Sequence, residues 1–426
     1  MDTAPERLRI AVVGAGIIGA CAAHELVRRG HEVTLVEAAV PGGEQAASFG
    51  NGAFISPASI IPMAMPGLWR QVPGYLSDPT GPLTIAPASL PRLLPWLCRF
   101  LWANATMPRA RRTVAALHAL LQDGPARHAA LAAEIGAPGL IRRDGLLYAY
   151  PDRAAFAAEA RSWSLRRDHG LVWRELEGEA LRTAEPALSP RYGFGILLES
   201  GAHCTDPGAY VAAIVARACA AGAVLRRARA TGFDMSGGRL GALLTDAGPL
   251  PCDRAVIATG IGGAALARRA GDRVPLEAER GYHLAIPGAG VTLRRPVMPS
   301  DGRMANTMTA GCLRAAGQVE LSRADAAPNW ARAEVLLGHL RDTYPGLEIP
   351  AEGLQRWQGN RPSTPDGLPV IGPARAAGVF HAFGHGHVGL NAGPATAALL
   401  ADLIGGRPPA IDPDPYAVGR FRWRGR

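Results

Sequence analysis

The stretch LRIAVVGAGIIGA at residues 8–20 decides the fold of this chain. Its apolar residues 8 to 14 predict a buried strand, and the alanine-rich residues 16 to 29 predict a helix. Residues 32 to 37 predict a second strand. Together these elements form one βαβ unit of the Rossmann type, which is a dinucleotide-binding structure.

The turn between this strand and helix has the spacing Gly14-x-Gly16-x-x-Gly19. Gly14 permits the tight turn, Gly16 lets the backbone approach a pyrophosphate, and Gly19 allows the helix to pack closely on the sheet. Ile17 and Ile18 begin the helix, whose N-terminus stabilises phosphate charge.

Glu37, followed by Ala38, ends the second strand, where the ribose of a dinucleotide is expected. Its carboxylate would accept hydrogen bonds from the ribose hydroxyls and would repel the 2′-phosphate of NADP. The motif alone does not separate FAD from NAD, and a glycine-rich turn without a ligand is the alternative interpretation.

The composition indicates a globular protein of two or three domains, since 48% of the 426 residues are hydrophobic and 19% are charged. All 45 basic residues are arginine. The chain can therefore form neither a lysine Schiff base nor a Walker-type phosphate loop. The arginines are scattered, so the net charge of +9 does not imply a nucleic-acid partner. The six cysteines lie far apart without zinc spacing, and no metal site is expected.

The N-terminal residues, including Pro5 and Glu6, do not resemble a signal peptide and continue directly into the first strand. Prolines interrupt the uncharged stretch 52 to 69, which argues against a membrane-spanning helix. We therefore expect a cytoplasmic protein. A peripheral contact with the inner membrane near Trp69 and Trp96 is a further hypothesis.

Nucleotide-binding signals recur at 10 to 60, 206 to 262 and 355 to 404, which predicts two interleaved domains. We expect a mixed α/β fold with a Rossmann-type FAD-binding domain and an antiparallel-sheet substrate domain. The FAD-binding domain is expected at 1–85, 206–265 and 347–426, and the substrate domain at 86–205 and 266–346.

Residues 41 to 95 are rich in Gly, Pro and Ser and predict long active-site loops with little regular structure. Helices are predicted over 109–135, 151–168, 207–221, 330–343 and 393–404. Strands are predicted over 142–150, 191–199, 223–257 and 280–323.

Two later stretches have the composition of cofactor contacts. The apolar run 255 to 260 closes on Ala258-Thr259-Gly260, which is equally consistent with an ordinary strand end. The run GHGHVG at residues 384–389 precedes the last helix and supplies a turn of backbone N–H groups. Such a turn suits the negative charge that develops on a flavin as it is reduced.

These segments together resemble the D-amino-acid oxidase superfamily over nearly the whole chain. The resemblance rests on the N-terminal unit, Ser48-x-x-Asn51-Gly52, Ala258-Thr259-Gly260, Gly281-Tyr282, the run RPSTPDG at 361–367 and Gly384-His385-Gly386. Within the superfamily, bacterial D-amino acid dehydrogenases and D-hydroxyproline dehydrogenases are the most similar.

The resemblance implies non-covalent FAD and oxidation of an amino acid to an imino acid. It further implies that the electrons pass to a quinone or another carrier, and it leaves a homo- or hetero-oligomer open. The cofactor contacts that we expect are Gly14, Gly16, Ile17, Ile18, Gly19, Glu37, Ala38, Ser48, Asn51, Gly52, Ala53, Ala230, Ala258, Thr259, Gly260, Arg361, Gly384, His385, Gly386, His387, Val388 and Gly389.

An arginine is suited to bind the substrate carboxylate through two parallel hydrogen bonds. Arg361 is the first candidate, followed by Arg314 and Arg303, and a structural arginine is the alternative in each case. Tyr282 is expected to line the substrate cavity. His385 is expected to tune the flavin or to meet the substrate amine, with capping of its own helix as the alternative.

The sequence departs from the D-amino acid dehydrogenase pattern at three places. It has Asn51-Gly52-Ala53 in place of Asn-Ala-Gly, Met304 in place of an aromatic residue, and Ala310-Gly311 where the broad-specificity enzymes have an arginine. The Gly-x-Leu-Arg pattern that ends on Arg314 is more similar to the hydroxyproline branch.

Four functional hypotheses follow. The first is an FAD-dependent D-amino acid dehydrogenase. The second keeps the fold but makes the protein an oxidase, or a dehydrogenase of secondary amines such as D-proline, D-hydroxyproline or sarcosine. The third is a non-catalytic FAD-carrying subunit, and the fourth is an NAD-dependent dehydrogenase, which would be colourless.

Overall fold

The βαβ unit predicted at the N-terminus is confirmed, with strand β1 at Arg9–Val13, helix α1 at Ile17–Arg28 and strand β2 at Glu32–Glu37. The structure, a computed structural model, describes residues 7–70, 72–78 and 80–422. Pro5 and Glu6, which entered the argument about a signal peptide, lie outside the described residues.

The other elements follow in chain order. The strands are β3 Phe54–Ile55, β4 Leu83–Ile85, β5 Ile141–Arg142, β6 Leu146–Tyr150, β7 Arg174–Glu177, β8 Phe194–Leu198, β9 Ala202–Cys204, β10 Val224–Arg227, β11 Ala230–Asp234, β12 Ala242–Thr245, β13 Leu250–Pro251, β14 Arg254–Ile257, β15 Glu277–Pro287, β16 Val297–Pro299, β17 Ala305–Thr309, β18 Cys312–Leu321, β19 Gln355–Ser363, β20 Val370–Pro373 and β21 Val379–Phe383. The helices are α2 Val72–Ser77, α3 Leu90–Ala103, α4 Met107–Leu121, α5 Gly124–Glu134, α6 Arg153–Ala158, α7 Ala160–Asp168, α8 Gly178–Ala184, α9 Pro207–Ala220, α10 Gly263–Arg269, α11 Ala331–Thr343 and α12 Gly389–Ile404.

The chain forms two compact units. Among the described residues, unit 1 comprises the chain up to Phe49, Gly208–Glu277 and the chain from Arg361 onward, and unit 2 comprises Gly50–Pro207 and Ala278–Asn360. The chain therefore passes from unit 1 to unit 2 at residue 50 and not at residue 85, because β3 pairs with β9 and β4 pairs with β18. The two later boundaries between the units, after Glu277 and before Arg361, lie about a dozen residues beyond the boundaries expected at 265 and 347.

Unit 1 is built on a six-stranded sheet in the order β10-β2-β1-β14-β21-β20. Its first five strands are parallel, and β20 is antiparallel to β21. Helix α12 packs against α1, and a Cβ atom added to Gly393 would lie 3.0 Å from Cγ1 of Ile17. This is the Rossmann-type sheet that the N-terminal sequence predicts.

Unit 2 is built on a larger sheet in the order β19-β15-β18-β17-β16-β6-β8-β7, with β4 added beside β18. Antiparallel pairing joins β15, β18 and β17. One face of these strands packs against α11 and forms an apolar core that includes Leu284, Leu313 and Leu336. A separate three-stranded sheet has the order β3-β9-β5.

The prediction of little regular structure between 41 and 95 was wrong. Four elements begin within this segment, namely β3, α2, β4 and α3. Pro91 lies at the start of α3 and Pro95 inside it, so the prolines that indicated loops are accommodated by a helix. The predicted helices at 109–135 and 151–168 are each divided into two, and the last helix begins at Gly389 instead of 393.

The two tryptophans of the membrane hypothesis differ in exposure. Trp69 is exposed, whereas Trp96 is buried, stacks on Phe100 and packs near Leu321. Trp96 is therefore a core residue of unit 2. Among the described residues, none of the helices is both long and apolar enough to span a membrane.

Arg420 holds the C-terminal segment on unit 1. Its Nε and Nη2 atoms donate to Asp366 at 2.7 and 3.3 Å, and Nη2 also donates to the Leu368 carbonyl at 2.7 Å. Nη1 donates to the carbonyls of Tyr416 and Ala417. The ion pair of Arg420 and Asp366 is mostly buried, with 15% and 20% of the two side chains exposed.

Replacing Arg420 by alanine is expected to lower the thermal midpoint of unfolding by about 2–5 °C, since the mostly buried Asp366 carboxylate loses its main cation. Arg9→Ala is the matched control, because Arg9 also forms a bidentate pair in unit 1, with Asp253, but at an exposed position. Exposed pairs contribute little to stability. Differential scanning calorimetry compares the two variants, and equal losses would contradict the role given to burial.

Candidate functional site

The carboxyl edge of the unit 1 sheet carries the predicted cofactor residues. Strands β1, β2, β14 and β21 are parallel neighbours, so their C-terminal ends lie at one edge. The glycine turn follows β1, Glu37 ends β2, and Ala258-Thr259-Gly260 follows β14. The 384–389 turn follows β21. Dinucleotides bind at this edge of doubly wound sheets.

Two glycines of the first turn are required by close backbone approach. Gly14 has φ of 98°, and a Cβ atom there would lie 2.7 Å from the Ala258 carbonyl oxygen. A Cβ atom on Gly19 would lie 1.7 Å from the Gly14 carbonyl oxygen. Any larger residue would move α1 away from the sheet.

The N-terminus of α1 is prepared for an anion. Gly16 is its N-cap residue in an extended conformation, and the first turn contains no acidic residue. Ser48 lies beside this turn, and its Oγ accepts a hydrogen bond from the Ile17 N–H at 3.2 Å. The N–H groups and the serine hydroxyl are the donors that a pyrophosphate requires.

Glu37 lies over the same turn. Its Oε2 accepts from the Ala15 N–H at 2.7 Å and its Oε1 accepts from the Ala39 N–H at 3.0 Å, so the carboxylate is fixed next to Ala38. The chain that leads to Ala230 runs close by, because the Ala228 N–H donates to the Glu37 carbonyl at 3.1 Å. Both segments thus lie where an adenosine ribose is expected.

The segment after β14 contributes a polar side chain without a partner. Thr259 Oγ1 is buried and makes no hydrogen bond within the part of the chain that the structure describes. Gly260 follows with φ of 55° and has open space where a side chain would be.

The second glycine-rich turn leads into α12. Gly384 and Gly386 have φ of 83° and 51°, and a short 3₁₀ turn at Gly386–Val388 joins Gly389, the first residue of α12. No acidic residue lies in the first turn of this helix. Its N-terminus is therefore a second position that favours negative charge.

The two histidines of this turn lie in different environments. His385 is buried, its Nε2 lies 3.0 Å from Thr396 Oγ1, and burial lowers its pKa to about 3. His387 is exposed. His385 is therefore neutral at pH 7, and its side chain contacts Thr396 in the interior of α12 and does not cap that helix.

These residues fit FAD. The fixed Glu37 carboxylate suits a ribose, the N-terminus of α1 suits a pyrophosphate, and the N-terminus of α12 suits a reduced flavin.

In unit 2, the segment Asn51-Gly52-Ala53 packs on the sheet face opposite the apolar core. The Asn51 side chain accepts a hydrogen bond from the Ala53 N–H at 2.8 Å, and the Gly52 carbonyl accepts from Thr307 Oγ1 at 2.9 Å. A Cβ atom on Gly52 would lie 2.6 Å from Cβ of Ala305, so glycine is required there. Ala53 has φ of 64°, a conformation that favours glycine.

Arg314 lies on β18, on the same face as this segment. Its Nη1 donates to the Asn51 carbonyl at 3.2 Å, and 6% of the residue is exposed. Burial lowers the pKa of Arg314, and the nearby Asp206 carboxylate opposes this effect. A guanidinium held in such surroundings is a suitable partner for a substrate carboxylate.

Tyr282 is a core residue on the other face of the sheet. Its hydroxyl donates a short hydrogen bond to Glu320 and accepts one from the Asn329 N–H at 3.0 Å. Burial and the contact with Glu320 raise its pKa to about 12. The hydroxyl is thus engaged within the core of unit 2.

The other two arginine candidates are less buried than Arg314. Arg303 is exposed, has φ of 45°, and donates from Nη1 to Tyr75 Oη at 3.2 Å. Arg361 lies near the end of β19 and is partly buried. Met304, at the position of the expected aromatic residue, is buried in the apolar core of unit 2.

Sequence reasoning missed His283 and Trp357. The His283 ring stacks on Trp357 with a centroid distance of 5.1 Å, and its Nδ1 lies 3.3 Å from the Gly50 carbonyl. Burial, and then the charge of Arg314, lower the pKa of His283 to about 3. A Cβ atom on Gly50 or Gly359 would overlap the Trp357 ring. The available signal in the sequence was Gly359, two residues after Trp357, because Gly50 lies far away in the chain.

A Rossmann-type sheet with two acid-free helix N-termini at its carboxyl edge is the arrangement of a dinucleotide-binding protein. The family model described as "FAD dependent oxidoreductase" matches residues 9–403. The chain belongs to this family, the DAO family, and uses FAD.

Two relatives match over their full length. A protein of Bradyrhizobium diazoefficiens named "D-amino-acid oxidase" is 47% identical over 420 residues, which cover 98% of this chain and 100% of the relative. A protein of Ralstonia nicotianae named "D-amino acid dehydrogenase 2" is 33% identical, with coverage of 97% and 100%.

Solved structures share the fold. Glycine oxidase from Geobacillus kaustophilus superposes with a TM-score of 0.73 at 21% identity, over 98% of this chain and 99% of that one. L-proline dehydrogenase from P. horikoshii gives a TM-score of 0.74 at 20% identity, over 98% of both chains.

The stability of the protein is expected to fall in mild acid. Burial lowers the pKa of His203 to about 4 and those of His283 and His385 to about 3. Below pH 6.5 these histidines bind protons in the unfolded chain but stay neutral in the folded protein. The free energy of unfolding therefore decreases as the pH falls. Each histidine is expected to cost about 2 kcal/mol between pH 6.5 and pH 5.

His385→Gln is expected to remove one such proton and to flatten the dependence of the unfolding free energy on pH. His387→Gln is the control, because His387 is exposed. Urea unfolding at a series of pH values measures the slopes. A wild-type slope in the His385 variant would contradict the assignment of a neutral buried imidazole.

Proposed function

We propose that this chain oxidises a D-amino acid to its imino acid with non-covalently bound FAD and passes the electrons to a quinone or another carrier. Water then hydrolyses the imino acid to the 2-oxo acid and ammonia. The observation that carries the proposal is the buried Arg314 guanidinium, on a face of the unit 2 sheet that is free of the apolar core. The names of the full-length relatives support the substrate class.

Arg314 would bind the α-carboxylate. Folding has already removed most of the water from the Arg314 guanidinium. A carboxylate that binds it through two hydrogen bonds therefore adds little further desolvation cost for the arginine. Its Nη1 contact with the Asn51 carbonyl fixes the orientation of the planar group. Arg361 stays the second candidate for the same role.

Bound FAD supplies the two-electron acceptor that takes up the hydride from Cα at flavin N5. The residues of the chain contribute by positioning the substrate and not by transferring its protons. His283 and His385 both have pKa values of about 3, so neither is an effective base near neutral pH. The substrate amine therefore has to lose its proton to solvent before oxidation, and holding Cα in place is the main contribution of the protein.

Oxygen is a second candidate for the electron acceptor. The relative with 47% identity carries the name of an oxidase, whereas those at 33% and 31% carry the name of dehydrogenases. The substrate reaction is the same in both cases, and the difference lies in how the reduced cofactor is reoxidised.

The purified yellow protein is expected to lose its flavin absorbance under anaerobic conditions with at least one D-amino acid and with none of the L-enantiomers. The panel includes D-proline and D-hydroxyproline. Reoxidation by air at the turnover rate would identify an oxidase, and reoxidation only by a quinone analogue would identify a dehydrogenase. A flavin that no amino acid bleaches would contradict the proposal.

Arg314→Gln is expected to reduce kcat/KM for the D-amino acid by about 10- to 100-fold, because a charge-assisted carboxylate contact is lost. Arg303→Gln is the control, since Arg303 is exposed and paired with Tyr75. FAD content and thermal midpoint are measured for both variants, and Arg361→Gln is assayed in parallel. A normal kcat/KM in the Arg314 variant with retained FAD would refute its role.

A further inference from the structure

The last described segment of unit 1, residues 416–422, is called the C-terminal clamp below. Its Arg420 is bonded on two sides. Nη1 donates to two carbonyls of the clamp itself at 2.8 and 3.2 Å. Nε and Nη2 donate to the Asp366 carboxylate, and Nη2 also donates to the Leu368 carbonyl. Because a guanidinium is planar and rigid, these contacts fix its orientation.

The clamp is anchored in the core of unit 1. Tyr416 is fully buried, and Val418 belongs to the apolar cluster that contains Phe383 of β21. Phe421 packs against the same cluster, and Cζ of Arg420 lies 4.2 Å from the centre of its ring. Arg420 is therefore carried by a fixed segment and can hold the residues that it contacts.

Those residues belong to the turn at 364–368, which joins β19 to β20. Asp366 accepts the Leu368 N–H at 3.2 Å, and the Thr364 hydroxyl donates to the Leu368 carbonyl at 2.7 Å. Gly367 has φ of 79°, and its N–H donates to the Thr364 carbonyl at 3.2 Å. The clamp adds its hydrogen bonds at the same carboxylate and the same carbonyl that close this turn.

The 364–368 turn lies directly against the glycine-rich turn at 384–389. Ser363, which ends β19, forms an isolated β-bridge with His385. A Cβ atom on Gly384 would lie 3.0 Å from Cγ2 of Thr364. Ser363, Thr364 and His385 are all buried. Because the two turns are in close contact, a shift of Thr364 is transmitted to the 384–389 turn.

The 384–389 turn is the part of unit 1 that suits the flavin, because it leads into the acid-free N-terminus of α12. Arg361, the second candidate for the substrate carboxylate, lies on β19 three residues before the 364–368 turn. The candidate flavin contact and the candidate arginine therefore share one support.

A purely structural role is the alternative for Arg420. A residue that only stabilises unit 1 raises the thermal midpoint but leaves the FAD affinity of the folded protein unchanged. A residue that positions the 384–389 turn changes the FAD affinity and the flavin spectrum at temperatures where the protein is fully folded.

We propose that Arg420 is a positioning residue for the flavin. It fixes the 364–368 turn through Asp366 and Leu368, and that turn holds the 384–389 turn in place at the N-terminus of α12. The proposal rests on the fit of the 384–389 turn to FAD and depends on neither the substrate nor the electron acceptor of the enzyme.

Arg420→Gln is expected to weaken FAD binding by about 2- to 30-fold, the range found for residues that act through an intervening network. Release of FAD from the holoenzyme on serial dilution, followed by flavin fluorescence well below the thermal midpoint, measures the dissociation constant. Visible circular dichroism of the bound flavin reports its surroundings. Asp366→Asn, which keeps an acceptor for the Leu368 N–H, is expected to act in the same direction.

Arg422→Gln is the matched control. Arg422 belongs to the same clamp but binds Asp272, which also accepts from His381 and from the Arg375 N–H. The Arg422 side chain is mostly exposed. This variant is expected to change the dissociation constant of FAD by less than about twofold and to leave the flavin spectrum unchanged.

The double variant Arg420→Gln/Asp366→Asn tests the route. If Arg420 acts through Asp366, the two losses do not add, and the double variant binds FAD about as weakly as the weaker single variant. Arg420→Lys is a milder variant for the case that glutamine prevents folding. It keeps a cation beside Asp366 but loses the planar fork that also reaches Leu368, so a smaller loss of FAD affinity is expected.

Three results would overturn the proposal. The first is a wild-type dissociation constant and flavin spectrum in a folded Arg420 variant. The second is an equal loss of FAD affinity in Arg422→Gln, which would make the effect a general loosening of the clamp. The third is full additivity in the double variant, which would separate Arg420 from the 364–368 turn.

Discussion

The close backbone approach between the Gly14 turn and the end of β14 is the constraint on which unit 1 depends. A Cβ atom on Gly14 would lie 2.7 Å from the Ala258 carbonyl oxygen, and one on Gly19 would lie 1.7 Å from the Gly14 carbonyl oxygen. These contacts set α1 directly on the sheet. Because α12 packs on α1 through Gly393, they also fix the position of the second helix and of its N-terminus.

The parts of this unit that sequence predicts are those whose signals are local. The βαβ unit lies within thirty residues, and the spacing of Gly14, Gly16 and Gly19 indicates its turn although the Ala258 contact of Gly14 comes from far along the chain. The segments after β14 and β21 reach the same edge from far along the sequence. Their composition indicated cofactor contacts, but only the strand order brings them to the ends of β1 and β2.

The sheet face on which a strand residue lies is harder to predict, and unit 2 illustrates why. Tyr282 belongs to the apolar core, whereas the next residue, His283, lies on the face of Arg314. The pairing of β15 with β18 shifts between Arg280 and Tyr282, where two steps along β15 oppose three steps along β18, from Glu320 to Gly317. A pattern of alternation that is continued through this bulge therefore assigns the faces of β18 incorrectly on one side of it.

The departure at Asn51-Gly52-Ala53 has a packing cause that the sequence does not contain. Gly52 is needed because Ala305 of a distant strand approaches it, and Ala53 accepts a positive φ at a cost of about 1 kcal/mol. The Asn51 side chain offsets part of that strain by accepting the Ala53 N–H. The Asn51 carbonyl is then directed at Arg314. The order of these three residues thus places a backbone acceptor beside a buried guanidinium.

The electrostatic state of this region follows from the same packing. His283 is stacked on Trp357 and stays neutral, partly because the Arg314 charge opposes its protonation. The Arg314 charge, moderated by Asp206, contributes a positive potential beside this neutral histidine. Such a potential favours a carboxylate and disfavours an ammonium group. Under the proposed role of Arg314, a zwitterionic amino acid would gain affinity as its amine loses a proton, so the residue that binds the carboxylate would also select the protonation state from which Cα can be oxidised.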